Sequence, residues 1–215
     1  MNLKQRFTAL ALAAALASGT LAIGAQAAFT DTTGHWAEEA IAAVAEKKLF
    51  QGTSETTFSP DIPMNRGMFV TVLGRFSESL GHKMDGSAVF SDVAADSYCA
   101  SYVAWAADHG IVNGVGDGKF NPSGTITRQE AATMVARAAK LCGMDTDYTA
   151  AAARDILAQF GDYTKTADWA RAPLAFCYDQ GILDSSALNI LPTMAIKRCE
   201  IAQMLYNMLE KANLL

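Results

Sequence analysis

Three arginines occupy the same place in the chain. Asn65-Arg66-Gly67-Met68, Thr127-Arg128-Gln129-Glu130 and Lys197-Arg198-Cys199-Glu200 each open an apolar run with helical spacing. In the middle tetrapeptide, Thr and Glu three apart form a capping box: the Thr hydroxyl accepts from the Glu amide, and the Glu carboxylate reaches back. Capping accounts for Thr127 and Glu130 and leaves Arg128 over. A cation in the first turn opposes the helix dipole, so an arginine held there needs another reason. A helix N-terminus attracts anions, and a guanidinium adds a forked, charged donor suited to a carboxylate. One reading is an anion site. The other is an ion pair with an acid of the same fold, such as Asp31, Asp92 or Asp162. Residue types alone leave both open.

The arginines belong to a larger repeat. Gly52, Phe58, Pro60 and Arg66 are matched by Gly114, Phe120, Pro122 and Arg128, each pair 62 positions apart, and Trp36 and Tyr98 keep the same offset. A third copy follows 70 or 71 positions on, where Tyr98, Gly110, Pro122 and Arg128 meet Trp169, Gly181, Pro192 and Arg198. Several features holding one spacing identify a repeat architecture. The boundaries read as 28–76, 90–139 and 160–211, with connectors over 77–89 and 140–159 and a short tail over 212–215.

Each copy must position its arginine with two helices and the turn between them. In the first, Trp36, Ala40, Ile41 and Val44 predict a helix over about 35–48, and Gly52 supplies the positive φ of a tight exit. Phe58-Ser59-Pro60 is expected to be extended, because the residue before a proline is biased away from helix. The second helix begins near Arg66 and runs through Phe76. In the second copy, Tyr98, Tyr102, Val103, Trp105 and Ala106 face inward, then Ala131, Met134, Val135 and Ala138 from a helix opening at Thr127. The second connector carries a helical stretch over 149–159. The third copy predicts helices over 167–180 and 197–211. It is the most altered, with Asp184 for the turn glycine, Ile190 for the aromatic, and Pro173 inside its first helix, where proline is tolerated near the first turn. One unit cannot bury its apolar face alone, so three stack. The fold class is all-α: three helix-turn-helix units around a shared centre with pseudo-threefold symmetry, short extended pieces in the loops, and three equivalent clefts.

Composition sets the outer bounds. The chain has 215 residues, about half of them apolar. Lys4 and Arg6, the apolar run over 7–17 and Ala25-Gln26-Ala27 have the pattern of a secretory signal peptide over 1–27. That run is too short to span a bilayer, which needs about 20 residues, and nothing later is apolar enough. Loss of the leader leaves 15 of the 17 basic residues against 22 acidic ones, formally −7. Nucleic acid, which requires a basic surface, is not an expected partner. Cys99, Cys142, Cys177 and Cys199 allow three pairings, which sequence does not resolve; Cys177 on an apolar helix face reads as a buried thiol. Neither the cysteines nor His35, His82 and His109 show zinc spacing, no acidic cluster has EF-hand spacing, and Gly114–Gly118 lacks the Lys-Ser/Thr of a phosphate loop. Serine and cysteine nucleophile signatures are absent. No enzyme, metal or cofactor is expected.

The ordered motifs resemble the S-layer homology (SLH) domain. The second copy carries FSDV, GIVNG, FNP and ITRQE; the first carries FTD, HWAEEAI and FSP but reads MNRGM in place of the last; the third carries FGD, WA, GIL and IKRCE. The resemblance covers residues 29 to about 209 and implies a three-pronged helical body in the cell wall or S-layer of the bacterial envelope. It implies noncovalent attachment through a secondary cell-wall polysaccharide or peptidoglycan-linked glycan, often pyruvylated, bound in clefts between repeats. A ketal pyruvate puts a carboxylate on a neutral sugar, in keeping with the arginine argument. By position the resemblance nominates as ligand-binding the arginines Arg66, Arg128 and Arg198, the acids Asp31, Asp92 and Asp162, and the aromatics Trp36, Tyr98 and Trp169. Aromatic rings stack on sugar faces, though core packing would use at least part of each ring. Asn65 remains a good N-cap, Met68 lacks the reciprocal acid and Lys197 is a poor cap, so the clefts are expected to differ, that of Arg128 being most like the family. The alternative is a structural module of the envelope that self-assembles or docks other surface proteins without reading glycan.

Overall fold

The computed structural model describes residues 29–215, so the expected leader over 1–27 lies outside the described residues. Seven α-helices follow in order: α1 (Glu38–Glu46), α2 (Arg66–Ser79), α3 (Ala100–Asp108), α4 (Arg128–Ala139), α5 (Ala150–Leu157), α6 (Asp168–Asp179) and α7 (Arg198–Lys211). Short 3-10 turns lie at Lys140–Cys142 and Tyr163–Lys165. Extended pairing among the described residues is confined to isolated bridges, so the architecture is all-α. No described helix is long and apolar enough to cross a membrane.

The helices form for the reasons legible in their sequences. Ala40, Ile41 and Val44 face the core from α1; Ala131, Met134, Val135 and Ala138 do so from α4. Thr127 and Glu130 complete the capping box of α4, with the Thr127 amide donating to the Glu130 carboxylate at 2.9 Å. Asn65 accepts from the Met68 amide at 2.7 Å at the start of α2. Lys197 has no acceptor to offer α7; Glu200 still reaches back to the Lys197 amide (2.9 Å), and the Lys197 ammonium goes to Asp61 (2.8 Å). Thr149 caps α5 in the second connector.

The helix pairing differs from three helix-turn-helix hairpins. α2 packs on α3, α4 on α6 and α7 on α1, so each prong joins the second helix of one copy to the first helix of the next. The pattern is cyclic and brings the C-terminal helix back to the first. The long loop between the two helices of a copy carries the chain across the centre, so sequence neighbours need not pack together.

At that centre the three chain crossings close a triangle of backbone hydrogen bonds. Met64 donates to Ile196 (3.1 Å), Ile196 to Ile126 (3.1 Å) and Ile126 to Met64 (3.0 Å). All three side chains are buried. The amides that begin each second helix are satisfied by the next copy: Arg66 donates to Gly124, Arg128 to Met194 and Arg198 to Ile62, at 2.9–3.0 Å. The following amides, of Gly67, Gln129 and Cys199, donate to Pro122, Pro192 and Pro60.

Two local expectations are corrected. The left-handed residue after α1 is Lys48 (φ 59°), aligned with Gly110 and Gly181 of the other copies, and not Gly52. Gly52 is needed for space, since a Cβ there would lie 2.4 Å from the Ser54 carbonyl oxygen. The residue inside each Phe-x-Pro position is left-handed rather than extended, with φ of 58° at Ser59 and Asn121 and 54° at Leu191.

Candidate functional site

The aspartates explain that unusual turn. Both carboxylate oxygens of Asp31 accept backbone amides, from Phe58 (2.8 Å) and Ser59 (2.7 Å). Asp92 does the same for Phe120 and Asn121 (both 2.8 Å), and Asp162 for Ile190 (2.7 Å) and Leu191 (2.9 Å). A left-handed non-glycine residue costs about 1–2 kcal/mol, which two charge-assisted bonds offset. The Phe120 amide holds the Asp92 carboxyl below its usual pKa, against some burial, with the Asn121 amide acting the same way.

Each arginine then reaches into the copy that follows it. Arg66 Nε donates to the Phe120 carbonyl (2.9 Å), Arg128 Nε to that of Ile190 (2.9 Å) and Arg198 Nε to that of Phe58 (2.8 Å). The guanidinium of Arg66 also lies 4.8 Å from the centre of the Phe120 ring, and that of Arg198 lies 4.4 Å from Phe58. The Nη1 groups of Arg66 and Arg128 pair with Glu130, at 2.8 Å, and with Glu200. Each glutamate thus divides its oxygens, one closing its own helix start and the other holding the arginine of the preceding copy. The internal partners are therefore these glutamates; the aspartates are occupied elsewhere. Arg198 meets Met68 at the corresponding place and, among the described residues, has no carboxylate within salt-bridge distance.

Burial is uneven. Arg66 and Arg198 are 4% and 5% exposed, and the Arg128 side chain is 17% exposed. Burial draws the pKa of Arg66 and Arg198 down; Glu130 opposes it at Arg66, and only the charge of Asp31 opposes it at Arg198. A guanidinium keeps its proton through such shifts. The helix-start amides beside the arginines already donate to backbone carbonyls, so any anion contact in these clefts falls to side chains.

The aromatics lie elsewhere than helical spacing places them. Trp36 and Tyr98 sit in turns just before α1 and α3, and Trp169 on the first turn of α6. All three are exposed, at 63%, 61% and 53%, while Ile41, Val103 and Leu174 fill the core below them. Each ring borders a cleft built by all three copies. Arg66 of the first, Glu130 and Arg137 of the second and Trp169 of the third share one, of about 560 Å³. Arg198, Gly52, Met68, Arg75 and Tyr98 share another, of about 170 Å³. Arg128, Glu200, Lys197, Asp61 and Trp36 line the third, of about 210 Å³.

Arg75 and Arg137 escaped the motif reading. Each stands nine positions after a motif arginine, at the place Asn207 takes in the third copy. All three donate to the chain leaving the first helix: Arg75 to Leu49 (3.5 Å), Arg137 to Ile111 (3.2 Å) and Asn207 to Ile182 (3.1 Å). The recurrent offset of nine is the signal in the sequence that marks them.

The four cysteines are free thiols. Burial pushes the Cys177 thiol up, and raises Cys199 to about 11 with help from Glu200 and Asp61. Cys199 lies close to His35 and Asp61, the described residues that come nearest to a metal-ligand set. Their other contacts suit a cation poorly. His35 Nδ1 accepts from the Ala37 amide (3.1 Å), placing the ring proton on Nε2, and the Lys197 ammonium already occupies Asp61.

The sequence model of the S-layer homology domain matches residues 28–67 and 89–132. The chain is 27% identical over 187 residues to the exoglucanase XynX of Acetivibrio thermocellus, an overlap of 86% of this chain and 16% of that protein. It is 27% identical over 185 residues to a surface-layer 125 kDa protein of Lysinibacillus sphaericus, covering 85% of this chain and 15% of that protein. A cellulosome-anchoring protein of Acetivibrio thermocellus is 32% identical over 105 residues, or 48% of this chain and 24% of that protein. The chain spans 15–24% of the length of these relatives.

Proposed function

We propose that this chain attaches to the bacterial cell wall without a covalent bond, by binding an anionic, pyruvylated secondary cell-wall polysaccharide in the clefts between its repeats. The domain match and the surface-layer relatives indicate the cell wall or S-layer as its location. The proposal extends the SLH assignment to the third copy, whose aspartate and glutamate make the same contacts as those of the second, and whose arginine makes the same Nε contact to a backbone carbonyl. It takes residues 1–27 as the export leader. The exoglucanase among these relatives carries an enzyme name, but the shared stretch is 16% of its length, and the proposed role of that stretch is attachment, not catalysis.

One observation carries the reading. In each cleft a motif arginine lies with an aromatic ring that is more than half exposed, and the two come from different copies. An exposed ring offers a flat apolar face to a sugar, and the cations beside it favour a ketal carboxylate. The Arg66 cleft is the roomiest and adds Arg137, whose charge no described acid neutralises. Within this proposal the motif arginines and the three aromatics line the sugar, and the aspartates hold the turns that shape the clefts.

Co-sedimentation with purified walls tests it. The protein sediments with intact walls and not with walls stripped of pyruvate. Trp169→Ala and Arg137→Ala change surface groups and each weaken binding roughly tenfold. Equal sedimentation with stripped walls rejects the proposal. A second reading, self-assembly or docking of another surface protein, draws on the exposed Ile62, Leu191 and Met194 at and after the left-handed turns. It predicts concentration-dependent oligomers without wall material.

A further inference from the structure

The clefts of Arg66 and Arg198 correspond position by position. Asn113, Gly114, Glu130, Thr133, Arg137 and Trp169 of the first are replaced by Gln51, Gly52, Met68, Thr71, Arg75 and Tyr98 of the second. The arginine is held alike in both. Nε donates to the carbonyl two residues before the repeated proline, at Phe120 or Phe58, and Nη2 to the carbonyl before the turn glycine, at Asn113 (3.4 Å) or Gln51 (2.8 Å). The difference is the third contact. Arg66 Nη1 meets the Glu130 carboxylate at 2.8 Å, and Arg128 Nη1 meets Glu200. Arg198 Nη1 has no hydrogen-bond partner among the described residues, because Met68 stands where the acid would be.

From this we infer that the Arg198 cleft is the primary carboxylate site of the protein: a ligand carboxylate takes the place of the acid that Met68 removes, and Met68 sets the charge preference of the cleft. The inference rests on the glycan-binding reading above and names the member of the set that selects the anion. Glu130 and Glu200 show where a carboxylate sits on this guanidinium in the other two clefts. An internal acid there competes with a ligand acid, so the guanidiniums of Arg66 and Arg128 are already paired, and Arg137 is the cation left over in the Arg66 cleft. The Arg198 cleft instead has two cations, Arg198 and Arg75, and no lining acid. A buried arginine without a counter-charge is costly, and a ligand that supplies one relieves the cost. The rigid hold on Nε and Nη2 keeps Nη1 in place before the ligand arrives, which reduces the ordering cost of binding. The exposed Tyr98 ring at the rim gives the sugar its apolar face. The smaller volume of this cleft suits a terminal ketal better than an internal stretch of chain.

Met68→Glu tests this by completing the internal pair. The probes are a methyl hexopyranoside bearing a ketal-linked pyruvate and the methyl ester of the same compound, followed by titration calorimetry. Wild type binds the acid at least about tenfold more tightly than the ester. Met68→Glu brings the acid down to the ester and raises Tm. Met68→Gln, neutral and of similar size, keeps the preference for the acid. Unchanged acid binding in Met68→Glu overturns the inference; if intact walls still hold the protein in a pyruvate-dependent way, the glycan reading survives and the Arg66 or Arg128 cleft carries it. Absence of pyruvate-dependent binding to both probe and wall overturns the two together.

Discussion

At the scale of single residues, the motif positions divide into those that shape a cleft and those that face it. Asp31, Asp92 and Asp162 spend their oxygens on the two amides of a left-handed turn. Asp162 is the most buried of the three and holds Leu191, a branched residue at φ 54°. Replacing it by Ala leaves the buried Ile190 amide unsatisfied as well as removing the charge. Asp162→Ala is therefore expected to lower stability by about 2–4 kcal/mol, read as a shifted urea midpoint with an unchanged slope. The sequence marks these acids as recurrent, but a recurring Asp suits a ligand contact and a turn clamp equally well. The choice depends on where the amides of Phe58, Phe120 and Ile190 lie, some 28 residues away. The arginines have the same difficulty. Glu130 looks fully explained by its own capping box until its second oxygen is seen on Arg66.

Helix starts and inward faces were the parts of each element most open to local reading. Asn65, Thr127 and Thr149 cap α2, α4 and α5, and the apolar spacing of α4 and α7 predicts their buried faces. The beginnings of α1 and α3 were harder to place, because Trp36 and Tyr98 fall in phase with the apolar face yet lie in the preceding turns. The connector over 77–89 makes a contact with α3 that its sequence does not announce. Gly86 lies against the α3 backbone: a Cβ there would sit 2.2 Å from both the Ala104 carbonyl carbon and the Trp105 nitrogen. Neither can yield as a side chain would. Gly86→Ala should cost about 1–3 kcal/mol and open the connector, so hydrogen exchange should speed up over 82–89 more than in α4 or α7.

For the whole molecule the decisive feature is closure. α7 packs on α1, Tyr206 of α7 donates to Glu39 of α1 (3.1 Å), and Arg198 Nε donates to Phe58. The Met64–Ile126–Ile196 triangle needs all three copies at once. Removing residues 198–215 should therefore unfold the first copy as well as the third, giving a chain without cooperative thermal unfolding or near-UV circular dichroism. Survival of a cooperative transition in that truncated chain would contradict closure. The same cyclic order explains why a cleft draws its arginine, its turn and its aromatic ring from three different copies. The sequence reading placed the clefts between copies without fixing which copy supplies which residue.

The chain alone determined the helical nature and the recurrent chemistry, and offered a threefold internal spacing, because periodicity, caps and motif offsets are properties of neighbouring residues. It could not determine which acid meets which arginine, nor that Met68 leaves Arg198 without one. Those contacts join residues 64 to 147 positions apart, and their geometry exists only once three chain crossings have met at the centre. Charge in a cleft is a sum over side chains brought together by folding, and a substitution such as Glu to Met acts on the neighbour that tertiary structure supplies.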